Sequence, residues 1–147
     1  MLLRDDRQAA LNGVESALLE SADGYTVASG RCQDPSLAAL FEQAALARSE
    51  SAAALAPHIR ALDDLPSEPD PDRETLGQMI DGIRAYLAAD TDAQLVEQRL
   101  HADMQLGEAV RAALGEELPE ETRRLLEQVL SMLAQTREGL LERGGSA

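Results

Sequence analysis

The sequence predicts an all-helical domain, and three observations lead there. Of 147 residues, 25 are Ala and 24 are Leu, two strong helix formers, while β-branched residues are scarce. Apolar residues recur at three- and four-residue spacings over long stretches. The breaks between those stretches carry Pro, Gly and N-capping side chains rather than strand-like alternation. Hydrophobic residues make up 44% of the chain, enough for a core of one domain, but aromatics only 2%, supplied by Tyr25, Phe41 and Tyr86. Aliphatic side chains must therefore fill the interior.

The first helix is expected over residues 8 to 31. Leu11, Leu18, Tyr25 and Cys32 recur there at steps of seven, with Val14 and Ala28 beside them, the seam of a helix packed on near-parallel neighbours. Asp34 and Pro35 are a favoured N-cap and first helical residue, so a second helix follows after a tight connection and lies antiparallel to the first. It runs from 36 to 63, with Leu37, Leu40, Phe41, Ala44, Leu55, Ile59 and Leu62 on one stripe. An Ala-rich middle admits close approach, and Pro57 predicts a kink rather than an end.

Residues 64 to 72 contain three prolines and no periodicity, an extended connection. A shorter helix over 73 to 88 carries Leu76, Met79, Ile80, Ile83 and Leu87. Thr91 and Gln94 then have the spacing of a capping box. The next helix, 92 to 115, turns Leu95, Val96, Leu100, Leu106, Val110 and Leu114 inward and stops at Gly115. A last helix over 120 to 142 buries Leu125, Leu126, Val129, Leu133 and Leu140.

Two long hairpins joined by residues 64 to 91 leave room for a crossover. The second helix is roughly 40 Å long at about 1.5 Å per residue, and the intervening segment can return that distance. The second long helix and the one starting near Asp92 can then run parallel in a four-helix bundle; an up-and-down array of five helices is the other arrangement.

Composition excludes several chemistries. All 13 basic residues are Arg, so lysine Schiff bases and a Lys-containing phosphate loop are absent. With 27 acidic residues the formal charge is −14, which disfavours phosphate backbones and anionic lipid surfaces. One cysteine allows neither an internal disulfide nor a thiolate zinc cluster, and Cys32 is expected to be a small buried hydrophobe. Neither a signal-peptide pattern nor a membrane-length apolar run occurs, so the expected setting is cytoplasmic, with protein partners and no nucleic acid or membrane.

Leu11-Asn12 through Asp23-Gly24-Tyr25, then Leu40-Phe41, Arg48, Leu118-Pro119 and Gln128, resemble a family of small bacterial four-helix-bundle proteins of unknown function in the ferritin-like superfamily. The resemblance spans residues 8 to 142. It implies a ferritin-like bundle with a long crossover containing the short extra helix, and no established activity. Against the family's pattern, an aromatic residue and a Glu of the second helix stand here as Ser51 and Ala54, a Glu and its companion of the next long helix as Leu100 and Asp103, and a His of the last helix as Thr136. Positions 54, 100 and 136 are expected to face the interior.

A di-metal carboxylate centre in such a bundle needs converging Glu residues and Glu-x-x-His pairs. Leu55 precedes His58 by three residues and Gln98 precedes His101, so neither His completes a pair. Glu97, His101 and Glu108 share a face opposite the apolar stripe and are expected in solvent. Arg48, by contrast, falls on the apolar stripe between Phe41 and Leu55, and Asp103 falls between Leu100 and Val110. A buried guanidinium needs a partner, so Arg48 with Glu15 or Asp103 forms the expected buried polar cluster, unless Arg48 reaches out to the bundle edge. No catalytic residue, cofactor or metal ligand is assigned. The expected function is a non-catalytic bundle acting through self-association or partner binding, linked by family context to stress; the alternative is metal-dependent oxidation or iron handling.

Overall fold

Four helices account for the residues described by the computed structural model, which are 2–62 and 91–144, with side chains described for 6–62 and 91–143. They are α1 (Leu2–Arg31), α2 (Pro35–Leu62), α3 (Asp92–Leu114) and α4 (Glu120–Gly144). No strand occurs among the described residues, so the all-α fold class holds. The expected short helix over 73 to 88 lies outside them.

Local signals explain most of the ends. At the start of α2 the Ser36 N–H donates to Asp34 Oδ1 at 2.9 Å, and Pro35 supplies a first residue that needs no donor. At the start of α3 the Thr91 hydroxyl accepts from the Gln94 N–H at 3.1 Å, and Gln94 Oε1 accepts from the Thr91 N–H at 3.1 Å. That is the reciprocal box. Gly115 ends α3 with φ −75°, so it stops the helix in a right-handed conformation rather than through a left-handed turn. The N-terminal boundary differs from expectation. The backbone of α1 is helical from Leu2, six residues before the predicted start. Strong helix formers Leu2, Leu3 and Arg4 carry it beyond the first turn of its apolar stripe.

Contacts at the helix ends fix the directions. Near one end, the backbone N–H groups of Gln33 and Asp34 donate to the two Asp92 carboxylate oxygens at 2.9 and 3.0 Å. At the other end, Arg7 Nη1 donates to the Glu117 carbonyl at 3.2 Å. α1 and α3 are therefore antiparallel. α2 is antiparallel to α1 through the tight Cys32–Asp34 connection, so α2 and α3 run parallel. α4 returns beside α2, with His58 Nδ1 2.7 Å from Thr122 Oγ1 and Ser51 Oγ 3.7 Å from Met132 Sδ. Contacts join α1 to α2, α1 to α3, α3 to α4 and α2 to α4. Among the described residues the four helices thus close a square, with α2 and α3 across its diagonal.

The core has two apolar clusters. One, toward the α3–α4 turn, takes residues from all four helices, among them Leu18, Leu55, Val110 and Leu126. The other, toward the α1–α2 turn, is built on Tyr25, Phe41, Val96 and Leu140. A fully buried aliphatic or aromatic side chain contributes roughly 1.5–3 kcal/mol. Cys32 is only half-buried at the rim of the second cluster rather than within it, because α1 ends there and the connection leaves the thiol beside solvent.

Between the clusters α1 and α3 approach closely at Gly24. A Cβ on that residue would overlap the Arg99 guanidinium, whose side chain is 1% exposed and has little freedom to move aside. Gly24→Ala is therefore expected to lower stability by about 1–3 kcal/mol through overpacking. Gly13 is the control, since a Cβ there would meet nothing within 4 Å. Gly13→Ala should raise stability by about 0.5–1 kcal/mol, the helix-propensity gain alone. Urea titration of both variants checks the pair; equal shifts of the same sign would refute the packing account.

Candidate functional site

Two α-helical registers bring charge into the middle of the bundle. On α2, Arg48 follows Phe41, Ala44 and Ala45 along the buried stripe and is itself 0% exposed. On α3, Asp103 and Arg99 sit one turn apart between Val96 and Leu106 and are 7% and 1% exposed. α1 adds Ser21 and Tyr25, also one turn apart and buried.

These side chains form one network on the Asp103 carboxylate. Arg48 Nη2 donates to Oδ2 at 2.8 Å, Tyr25 Oη donates to the same oxygen at 2.6 Å, and Ser21 Oγ donates to Oδ1 at 3.3 Å. Arg99 Nη1 donates to the Ser21 carbonyl at 3.4 Å. The guanidinium carbons of Arg48 and Arg99 each lie 5.1 Å from the Tyr25 ring centroid, where the negative ring face attracts a cation. Arg48 Nε and Nη1 are buried without a hydrogen-bond partner, so the ring and the single carboxylate carry its compensation. Of the two acids expected for Arg48, Asp103 takes it. Glu15 is half-buried on α1, six residues before Ser21.

Burial, followed by the Asp103 charge, pushes the Tyr25 hydroxyl well above its ordinary pKa, against the opposing pull of Arg48 and Arg99. The phenol is thus held as a hydrogen-bond donor. At Cys32, burial and then the Asp92 and Asp34 charges push the thiol upward. A raised pKa disfavours the thiolate that redox chemistry requires.

The arrangement holds charge rather than a cation. Asp103 is occupied by three protein donors, and the Arg48 guanidinium in contact with it repels a metal ion. Among the described residues no three His, Cys, Asp or Glu side chains cluster as a metal site. Glu97, His101 and Glu108 are all exposed, as their face predicts. Positions 54, 100 and 136 do not share the interior as expected. Ala54 is exposed, Leu100 is half-buried, and Thr136 donates back to the Met132 carbonyl at 3.0 Å. Ala54 falls one residue before Leu55, which rotates it about 100° off the inward line.

No family model matches the chain, and neither a curated protein nor a solved structure does. The site is therefore read from its own geometry. Sequence reasoning located Arg48 and Asp103 but passed over Arg99, Ser21 and the Tyr25 hydroxyl. Arg99 carried a legible signal, since it lies four residues before Asp103 and between Leu95 and Leu106 on the same stripe. Nothing local marks Ser21, which joins only because α1 crosses α3 at that height.

Two open features flank the network. A groove of about 570 Å³ runs between α3 and α4, with Asp103 at its floor. A smaller recess of about 70 Å³ lies between α1 and α3, lined by Ser21, Arg99 and Gln105. Among the described residues no helix is long and apolar enough to cross a membrane.

Arg48→Met and Asp103→Leu should each cost about 3–5 kcal/mol, the scale for stranding a buried charge, whereas the double variant Arg48→Met/Asp103→Leu should recover most of that loss. Additive losses in the double variant, read from urea midpoints, would refute the coupling. Tyr25 gives a second expectation. In the unfolded chain its phenol ionises near about pH 10, while the folded protein keeps the proton. Stability contributed by that difference is full below the unfolded pKa and is lost as pH rises above it. Urea midpoints should fall between about pH 9.5 and about pH 11, and Tyr25→Phe should remove this part of the fall.

Proposed function

We propose that the chain is a non-catalytic, cytoplasmic bacterial bundle of ferritin-like type, its crossover bearing the short helix over 73 to 88, and that it acts by protein association with itself or another protein, in stress physiology. The observation that carries the reading is the use made of the central carboxylate. Asp103 accepts from Arg48, Tyr25 and Ser21 at 2.6–3.3 Å, so the interior position a bridging ligand would occupy is committed to holding the helices together. With the interior so engaged, recognition falls to the surface. Leu46 on α2 is 61% exposed and Leu19 on α1 is 40% exposed, side chains that gain by being covered. The −14 charge opposes nucleic acid and anionic membranes as partners.

Metal-dependent oxidation or iron handling is the competing reading. Two-cation ferrous oxidation needs bridging carboxylates, and the buried Asp103 is already paired with a guanidinium. Protein purified without chelator should retain no stoichiometric iron after desalting, and ferrous oxidation should proceed at the buffer rate. Retained iron or saturable oxidation would replace the association reading with the metal one. Light scattering on the same sample should give a mass above the 15.8 kDa of one chain. A single-chain mass would remove self-association and leave a different protein as the partner.

A further inference from the structure

We propose that the groove between α3 and α4 is the docking site of residues 73–88 of the same chain. The groove is shaped for a helix. Its α3 wall presents Leu100, Met104, Gly107 and Arg111, and its α4 wall Leu130, Ala134, Arg137 and Leu141. Both sets step by four, three and four residues, the spacing of a straight seam between near-parallel helices. Met104 and Leu141 are 56% and 41% exposed there, so apolar area stands open along its length.

The segment matches it in pattern. Leu76, Ile80, Ile83 and Leu87 step by four, three and four as well. The recess between α1 and α3, the other face the segment could cross, holds only about 70 Å³ against about 570 Å³ and sets Glu20, Arg99 and Gln105 beside Ala17 and Leu106, too little room for four aliphatic side chains.

Chain length and end positions agree. α2 ends at Leu62, beside the α3–α4 turn, and α3 starts at Asp92 at the opposite end of the bundle. The segment must therefore climb the length of α3, and sixteen helical residues cover about 24 Å of it at about 1.5 Å each. A hairpin through 89–91 sets Ile80 level with Leu100 and Leu76 level with Met104. The ten residues 63–72 reach up to about 33 Å, ample for the remaining gap. Charge favours the same route. Residues 63–90 carry eight acidic side chains against two Arg, with Glu68, Asp70 and Asp72 arriving at the height of Arg111.

The proposal rests on the crossover-helix reading above, and disulfide trapping separates their failures. In a Cys32→Ser background, Leu76→Cys/Met104→Cys should form an intrachain disulfide under mild oxidation, while Leu76→Cys/Gln105→Cys, which reports on the α1–α3 side, should not. Trypsin should cut after Arg73 and Arg84 about tenfold more slowly in the unsubstituted protein than in Met104→Asp/Leu141→Asp, because cleavage follows the undocked fraction. A disulfide with position 105 would overturn the docking site and keep the crossover helix. A position-104 disulfide that forms only between two chains would assign the groove to a second copy. Absence of both disulfides, with trypsin cutting both proteins equally fast, would overturn docking and crossover helix together.

Discussion

The Arg48–Asp103 pair is the constraint around which the bundle is arranged. Taking a guanidinium and a carboxylate out of water costs several kcal/mol each, and their attraction offsets that only with good geometry and further hydrogen bonds. Here the geometry joins three helices: α2 through Arg48, α3 through Asp103, and α1 through Tyr25 and Ser21. A slide of any one of them by a single residue would break the 2.6 and 2.8 Å contacts and strand a charge. Aliphatic contacts alone tolerate such a slide far better, since Ala and Leu faces repeat with nearly the same shape.

That role is more useful in this chain than in most. Ala and Leu make up a third of it, and its described aromatic pair is Tyr25 and Phe41, with ring centroids 5.7 Å apart. Large irregular side chains, which ordinarily fix how helices interlock, are few. A polar layer between two apolar clusters supplies the missing specificity of register, at the expense of some stability an all-apolar layer would provide. Gly24 belongs to the same device. A glycine within a helix is unfavourable by about 0.5–1 kcal/mol, and here it opens the space that the Arg99 guanidinium occupies against α1.

The connections carry a second device. Asp92, the first residue of α3, receives the two backbone donors of Gln33 and Asp34 at the α1–α2 turn. One carboxylate thereby serves the positive end of its own helix and ties the two hairpins together at that end. Arg7 and the Glu117 carbonyl link them at the other. These ties set α1 antiparallel to α3 and make α2 and α3 parallel, and the interhelical grooves are inequivalent: the one between α1 and α3 holds about 70 Å³, that between α3 and α4 about 570 Å³.

The helices themselves were legible in the sequence, because their causes are local. Asp34-Pro35 and Thr91 with Gln94 are capping chemistry, and the step-of-seven recurrence of Leu11, Leu18 and Tyr25 is a face of one helix. The burial of Arg48 and Asp103 was legible for the same reason, as charges interrupting apolar stripes. The choice of Asp103 over Glu15, the inclusion of Ser21 and Arg99, and the outward placement of Ala54 were not. Periodicity states which face a residue occupies but not the height at which another helix meets it, and a residue near the edge of a stripe can be turned either way by small rotations. Sequence by itself therefore determined an all-helical bundle with charge in its core. Only the tertiary structure decided that Asp103 is the acid that Arg48 meets, because partner choice depends on the relative axial positions of three helices, which no local interaction sets.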